Sequence, residues 1–527
     1  MNFAVTYPTR RSPLLAGNVV ATSQPLAAQA GLRMLLAGGN AVDAAIAAAI
    51  TLTVVEPTSN GIGSDAFAIV WDGAHLHGLN ASGRSPAALS ADRFAGMTSM
   101  PLRGWDSVTV PGAVSAWVEL HERFGRLPFE RLFEPAIGYA RDGFMVGAIT
   151  ARLWQRAEAT FRDFPEFNRV FLPGGRAPAA GERFRNPDQA ATLTEIASTR
   201  GESFYRGALA DRIVAEARRG GGAMVEADLA DHRADWVGTI STPYREHELH
   251  EIPPNGQGLA ALMALGILRH HDMASAPVDS ADSLHLQIEA MKLAFADCYR
   301  YVADPEHMEL PVSTLLDDAY LAGRARLIDM RRAGSPQHGV PGPGGTVYLT
   351  AADETGMMVS FIQSNYHGFG SGVVVPGTGI SLQNRGAGFV LKPGHPNRVA
   401  GGKRPFHTII PAFLTKQGAP LMSFGVMGGP MQPQGHTQMV VRVVDYQQSP
   451  QAAADAPRWQ VLGDTKVAVE EGFSPAVLAD LTARGHLIQE SSLGSDFAFG
   501  GAQLIYRTDG GYVAGSDPRK DGQAVGY

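Results

Sequence analysis

The stretch Gly344-Gly345-Thr346-Val347-Tyr348-Leu349-Thr350-Ala351-Ala352-Asp353-Glu354-Thr355-Gly356-Met357-Met358-Val359-Ser360 decides the reading of this chain. A hydroxyl residue follows two glycines, and side chains then alternate. A turn signal stands at Glu354-Thr355-Gly356, and a second alternating run follows it. The pattern predicts a β-hairpin. Cleavage of the Gly345–Thr346 bond would give Thr346 a free α-amino group beside its own hydroxyl, which is one way a threonine becomes a nucleophile. The segment by itself also fits a threonine that merely opens a strand, so the rest of the chain has to decide.

Upstream, residues 332–345 include Gly334-Ser335-Pro336 and Pro341-Gly342-Pro343-Gly344-Gly345, the composition of an exposed connector in which cleavage is physically possible. Downstream the chain reads as strand-rich, with strands over 346–352, 357–364, 372–375, 421–427, 466–470 and 503–508 and a helix over 434–446. Before about residue 330 the chain reads as mainly helical with interspersed strands. Spacing predicts helices over 27–37, 43–55 and 283–302, and a strand pair over 65–79 that turns at Asp72-Gly73. There is no internal repeat.

The chain has 527 residues, 45% hydrophobic and 18% charged, enough to bury a large core. A net charge of −7 argues against a general partner role with nucleic acid or an anionic membrane. The single cysteine, Cys298, excludes an internal disulfide and any Cys-x-x-Cys motif, and it reads as a core residue. No apolar segment follows a basic start at the N-terminus, and the apolar run 41–55, broken by Asp43, is too short for a bilayer. It reads as a buried Ala-rich helix, and a cytoplasmic location is expected. His247-x-x-His250 has no evident third ligand and reads as a surface strand; His436 reads as a satisfied polar residue on a helix. There is no Gly-x-Ser-x-Gly elbow, phosphate loop or His-Glu-x-x-His, so neither metal nor cofactor is expected.

Motifs along nearly the whole chain occur in one order: Ala21-Thr22-Ser23-Gln24-Pro25, Gly38-Gly39-Asn40-Ala41-Val42-Asp43-Ala44-Ala45, Glu56-Pro57, Gly61-Ile62-Gly63, Val110-Pro111-Gly112, Glu134-Pro135-Ala136-Ile137, Arg141-Asp142-Gly143-Phe144, Pro253-Pro254-Asn255-Gly256-Gln257-Gly258, the segment 285–304, Gly402-Lys403-Arg404-Pro405, Gly428-Gly429 and Asp517-Pro518-Arg519. In this order they resemble the γ-glutamyltransferase family of N-terminal-nucleophile hydrolases. The resemblance implies an α+β fold, a four-layer αββα sandwich of two stacked antiparallel sheets between helices. It also implies a proenzyme that cleaves itself before Thr346 into a large subunit, 1–345, and a small one, 346–527, held as one folded unit. A heterotetramer built from two cleaved precursors is compatible with it.

Under that resemblance the Thr346 hydroxyl attacks the Gly345 carbonyl during processing. In the mature enzyme its α-amine, with an ordinary pKa of about 7.7–8.0, acts as general base. Ser364 aligns with a hydroxyl that touches the nucleophile's amine, and Gly428-Gly429 is the candidate for the oxyanion donors. Arg84, in Gly83-Arg84-Ser85-Pro86, aligns with an arginine that grips a substrate carboxylate.

Departures from the family speak to the substrate. In Leu382-Gln383-Asn384-Arg385-Gly386-Ala387-Gly388-Phe389, Ala387 and Gly388 replace the acids that hold a glutamyl ammonium, while Arg385 adds positive charge. His407-Thr408 replaces a Ser-Ser pair, and Tyr366-His367-Gly368-Phe369-Gly370 replaces Asn-Thr-Thr-Phe-Gly. The segments 361–372 and 427–436 resemble a cytosolic branch of the family that includes oxamate amidohydrolase. The expectation is an amidase for a small anionic amide, with Tyr366, Asn384, Arg385, His407 and Thr408 at the substrate. The alternatives are γ-glutamyl transfer or glutathione hydrolysis, a cephalosporin-type acylase, and, in another class, an uncleaved non-catalytic binding module.

Overall fold

The computed structural model describes residues 11–336, 345–491 and 497–527. Among the described residues fourteen strands build two large sheets. In chain order they are β1 (Leu14–Ala16), β2 (Val19–Thr22), β3 (Asp65–Trp71), β4 (Leu76–Asn80), β5 (Asp235–Trp236), β6 (Ile240–Tyr244) and β7 (His247–Glu251). Then come β8 (Gly345–Ala352), β9 (Met358–Tyr366), β10 (Ala412–Lys416), β11 (Ala419–Met427), β12 (Gly501–Thr508), β13 (Gly511–Ser516) and β14 (Gln523–Gly526). One sheet runs β14-β2-β8-β9-β3-β4-β5 and the other β1-β13-β12-β11-β10-β7-β6. Every neighbouring pair in both is antiparallel.

Side-chain parity explains the layers. In β8, Val347, Leu349 and Ala351 join the core shared with helices, whereas Tyr348 and Ala352 join a separate core between the sheets. In β3, Ala66, Ala68 and Val70 face the helices while Phe67 and Ile69 face the other sheet. A strand turns successive side chains to opposite faces, so strands buried on both sides need apolar residues at both parities. The inter-sheet layer is also stitched by hydroxyls: Thr350 Oγ1 lies 2.6 Å from Ser423 Oγ of β11.

Five helices matter for the site: α1 (Pro25–Leu36), α2 (Ala41–Val55), α3 (Gly258–Leu268), α4 (Ala281–Tyr301) and α5 (Met431–Val444). Asn40 and Asp43 start α2 with a reciprocal capping box, each side chain taking the other's backbone N–H. Every α2 residue is buried, as its Ala-rich composition predicts. α2 covers the first sheet, while α3, α4 and α5 cover the second. The layer order is therefore helix, sheet, sheet, helix, the αββα architecture expected.

The hairpin forms as β8 and β9, with Gly356 at φ +92° closing the turn. The predicted strand 372–375 shrinks to Val374–Val375, after Gly372 at φ +82°. The predicted helix at 434–446 begins earlier, at Met431, because Pro433 falls in its first turn, where a missing N–H costs nothing. The cleavable connector at 332–345 falls mostly on residues 337–344, outside the described residues. Among the described residues no helix is long and apolar enough to cross a membrane.

Candidate active site

Thr346 is the second residue of β8. Its parity matches Tyr348 and Thr350, so its side chain enters the layer between the sheets, and it is buried. The ladder slips here: Gly345 pairs with Tyr366, whereas Val347 pairs with Gln363. Such bulges re-aim a side chain at the end of a strand. Thr346 Oγ1 donates to Ser364 Oγ at 3.3 Å, and Ser364 Oγ accepts the Tyr366 backbone N–H at 2.8 Å. Gln432 Nε2, in the first turn of α5, donates to Thr346 Oγ1 at 3.3 Å.

Tyr366 holds φ +80°, a left-handed conformation that is costly for a tyrosine and tends to mark functional sites. Its ring supports the Arg385 guanidinium, 4.6 Å from the ring centroid. Arg385 is fully buried. Its Nη1 donates to Thr408 Oγ1 at 2.7 Å, while Nε and Nη2 have no partner among the described residues. Burial pulls its pKa down to about 10, opposed by the charges of Asp65 and Tyr366, so it stays cationic at neutral pH. A buried guanidinium with unused donors is a ready carboxylate fork.

Beside Thr408, the His407 Nε2 faces Asp65 Oδ2 at 3.1 Å, and Asp65 Oδ1 accepts the Gly83 and Gly112 N–H groups. Asp65 is the strand partner of Ser364, which brings this pair beside the residue that Thr346 bonds. Burial pushes the Asp65 carboxyl up to about 7, with Arg385 opposing, and holds His407 well below its ordinary value. Gly428 and Gly429 end β11 at φ +120° and +62°, conformations that suit glycine, and lead directly into α5. Gln257 Nε2 joins the two halves of the site, donating to the Thr408 and Gly429 carbonyls at 2.6 and 2.8 Å.

Hydrogen bonds, the Tyr366 ring contact and strand pairing thus link Thr346, Ser364, Tyr366, Arg385, His407, Thr408 and Gly429 in one cluster. Asn384 borders it as a clamp: its Oδ1 accepts the His367 N–H and its Nδ2 donates to the Leu102 carbonyl. Arg84 has other partners, Asp304 Oδ2 at 3.0 Å and the Gly402 carbonyl at 3.1 Å, and lines a cavity of 310 Å³ with Arg233 and Arg404. Asp65, Gln257 and Gln432 are contacts the sequence reading did not assign, although Gln257 and Gln432 lie inside motifs it singled out. His250 bonds Thr415 and His436 bonds Glu251.

A metal could find ligands elsewhere. His285, Glu289 and His486 offer buried ligand atoms within 4.8 Å of one another. Lys292 Nζ, however, lies 2.5 Å from Glu289 Oε1 and already fills the cation's place.

A family model for gamma-glutamyltranspeptidase matches residues 27–527. The chain belongs to the gamma-glutamyltranspeptidase family. It is 37% identical to the glutathione hydrolase-like YwrD proenzyme of Bacillus subtilis, covering 96% of this chain and 98% of that one. It is 39% identical to the oxamate amidohydrolase proenzyme of Klebsiella pneumoniae, covering 95% and 97%. The fold superposes on the crystal structure of cephalosporin acylase from Bacillus halodurans with a TM-score of 0.96 at 49% identity, over 100% and 99% of the two chains. Membership makes the protein an enzyme, an amidohydrolase of the N-terminal-nucleophile class.

Proposed function

We propose that this member of the gamma-glutamyltranspeptidase family is a self-processing threonine amidohydrolase that acts on a small carboxylate-bearing amide, with oxamate favoured. The observation that carries the reading is the buried Arg385, whose Nε and Nη2 have no hydrogen-bond partner among the described residues, linked through Thr408 and Tyr366 to the Thr346–Ser364 pair. A dicarboxylic acid monoamide would leave its carboxylate on Arg385 and Thr408 and present its amide carbon to Thr346.

Processing starts when Thr346 Oγ1 attacks the Gly345 carbonyl carbon; the Gly345–Thr346 C–N bond breaks as the nitrogen takes up the hydroxyl proton, and water then hydrolyses the ester to the Gly345 carboxylate and a restored Thr346 hydroxyl. The chains 1–345 and 346–527 would stay together because each sheet mixes their strands: β8 of the second chain pairs with β2 of the first, and β10 with β7. In turnover the freed α-amine takes the hydroxyl proton, Oγ1 bonds to the amide carbon, and the amine leaves with that proton. Water resolves the acyl-enzyme. For oxamate the sum is oxamate plus water to oxalate plus ammonium.

Among the residues at 382–389, none is acidic, so a glutamyl ammonium would meet no counter-charge there. The likeness to the Bacillus halodurans cephalosporin acylase supports a second reading, a larger anionic amide in the same fork. The test is intact mass of the purified protein beside a Thr346→Ala variant, followed by assays of oxamate, a γ-glutamyl anilide and a cephalosporin amide. Two fragments that break before Thr346, absent from the variant, together with oxalate release, are the expected result. A single full-length chain in both would favour the non-catalytic class and refute the nucleophile assignment.

A further inference from the structure

Thr346 Oγ1 has one proton and two lone pairs. The proton goes to Ser364 Oγ and one lone pair accepts from Gln432 Nε2, leaving a single lone pair for attack. The Gln432 side chain is buried. Its orientation is set from behind: Gln432 Oε1 accepts the Ile410 N–H at 2.9 Å, so the amide NH₂ must face the threonine. Its own backbone is fixed at the start of α5, where Gln432 N donates to the Gly429 carbonyl.

We infer that Gln432 is a catalytic residue of this enzyme: its amide N–H orients the Thr346 hydroxyl and stabilises the negative charge that builds on Oγ1 as its proton leaves. The inference rests on Thr346 being the nucleophile. A donor fixed before the reaction contributes most where charge develops, because it need not reorganise in a site shielded from water. The bond strengthens as Oγ1 passes from hydroxyl toward alkoxide, and it weakens again once Oγ1 becomes an ester oxygen. Gln432 gains and loses no proton in either step. The same contact serves self-cleavage, where the electrophile is the Gly345 carbonyl, and turnover, where it is the substrate amide.

The test is a time course of chain splitting after cell-free synthesis of the full chain, read by intact mass for wild type, Thr346→Ala, Gln432→Met and Gln432→Glu. Met keeps the side-chain length without a donor. Glu keeps the acceptor for Ile410 and replaces the donor with an oxygen. Splitting of wild type but not of Thr346→Ala secures the nucleophile on which the inference rests; any other result for that pair overturns the nucleophile itself. Against that background the Gln432→Met chain is expected to split about 100-fold more slowly, in line with the loss of one preorganised donor. Thermal unfolding reports whether each variant folds, and Gln432→Glu decides if Gln432→Met does not. Splitting within threefold of the wild-type rate in the folded donor-less variant overturns the role of Gln432.

Discussion

Asp65 Oδ2 lies 3.1 Å from His407 Nε2, and neither side chain has any exposure to solvent. Burial acts on them in opposite senses. It lifts Asp65 from 3.8 to about 7, and it drops His407 well below 6.5. Between about pH 4 and 6.5 the folded pair carries one proton on Asp65, and the unfolded pair carries one on His407. The proton counts match, so the pair adds no slope to stability in that window. Removing one partner uncovers the other. His407→Gln leaves Asp65 holding a proton that the unfolded chain releases, so stability relative to wild type should fall as pH rises from about 4 to 7. Asp65→Asn leaves a neutral His407 that the unfolded chain would protonate, so relative stability should fall as pH drops below 6.5. Each slope approaches 1.4 kcal/mol per pH unit, about one proton's worth. Denaturant midpoints at several pH values check the signs, and two variants whose profiles parallel wild type would sink the account.

Arg385 should govern the choice of substrate. Arg385→Met removes a fork whose charge-assisted hydrogen bonds contribute about 1.5–3 kcal/mol each. The value of kcat/KM for oxamate is expected to fall roughly 100-fold, and Arg385→Lys should recover little because an ammonium cannot reproduce the planar fork. A neutral amide of the same size should lose far less. Equal losses on the anionic and the neutral amide would show that Arg385 supports the fold and does not hold the substrate.

The hairpin and the main helices were legible because alternation about a turn and helical spacing are local patterns, whereas the layer order came only with the family resemblance, and the Asn40–Asp43 box that starts α2 at Ala41 went unread. The residues around Thr346 were legible only in part. Thr346 stands out by the glycine pair before its strand, and Ser364 only through the family resemblance. Asp65 does not: it reads as an ordinary polar strand start, and only the pairing with Ser364 and the return of the chain at His407 give it a partner. Gln432 lies 86 residues from Thr346, and no local pattern reports a contact at that separation. Arg84 and Asn384 show the converse. Their sequence contexts point to substrate, while their described hydrogen bonds run to Asp304 and Gly402 and to His367 and Leu102.

Tyr366 stores backbone strain opposite Gly345, at φ +80°. An L-residue there costs on the order of 1 kcal/mol or more, and glycine avoids that cost. Tyr366→Ala loses the ring and keeps the strain. Tyr366→Gly loses the ring and relieves it. Both should lose activity with the support under Arg385, yet the Gly variant should be more stable than the Ala variant by roughly 1 kcal/mol. Chemical denaturation of the two side by side decides it. An Ala variant as stable as the Gly variant would mean that this backbone carries no strain.

Glu289 and Lys292 face the same residue, Gly334, from one turn of α4. Glu289 Oε2 accepts the Gly334 N–H at 3.0 Å, Lys292 Nζ donates to the Gly334 carbonyl at 2.5 Å, and the two side chains are only 4% and 2% exposed. They grip the last stretch of described chain before the connector that leads to Thr346. Lys292→Met would strand a buried carboxylate without its counter-charge, which typically costs about 3–5 kcal/mol. Combining it with Glu289→Gln should restore much of that loss, since the burial penalty of the remaining charge disappears with the charge. Being buried, the pair should also respond weakly to added salt. Denaturant unfolding at low and high ionic strength tests both points. A single variant no less stable than wild type would show that the ion pair does not hold this segment, and a double variant as unstable as the single would place the cost in lost packing around Gly334 and not in charge.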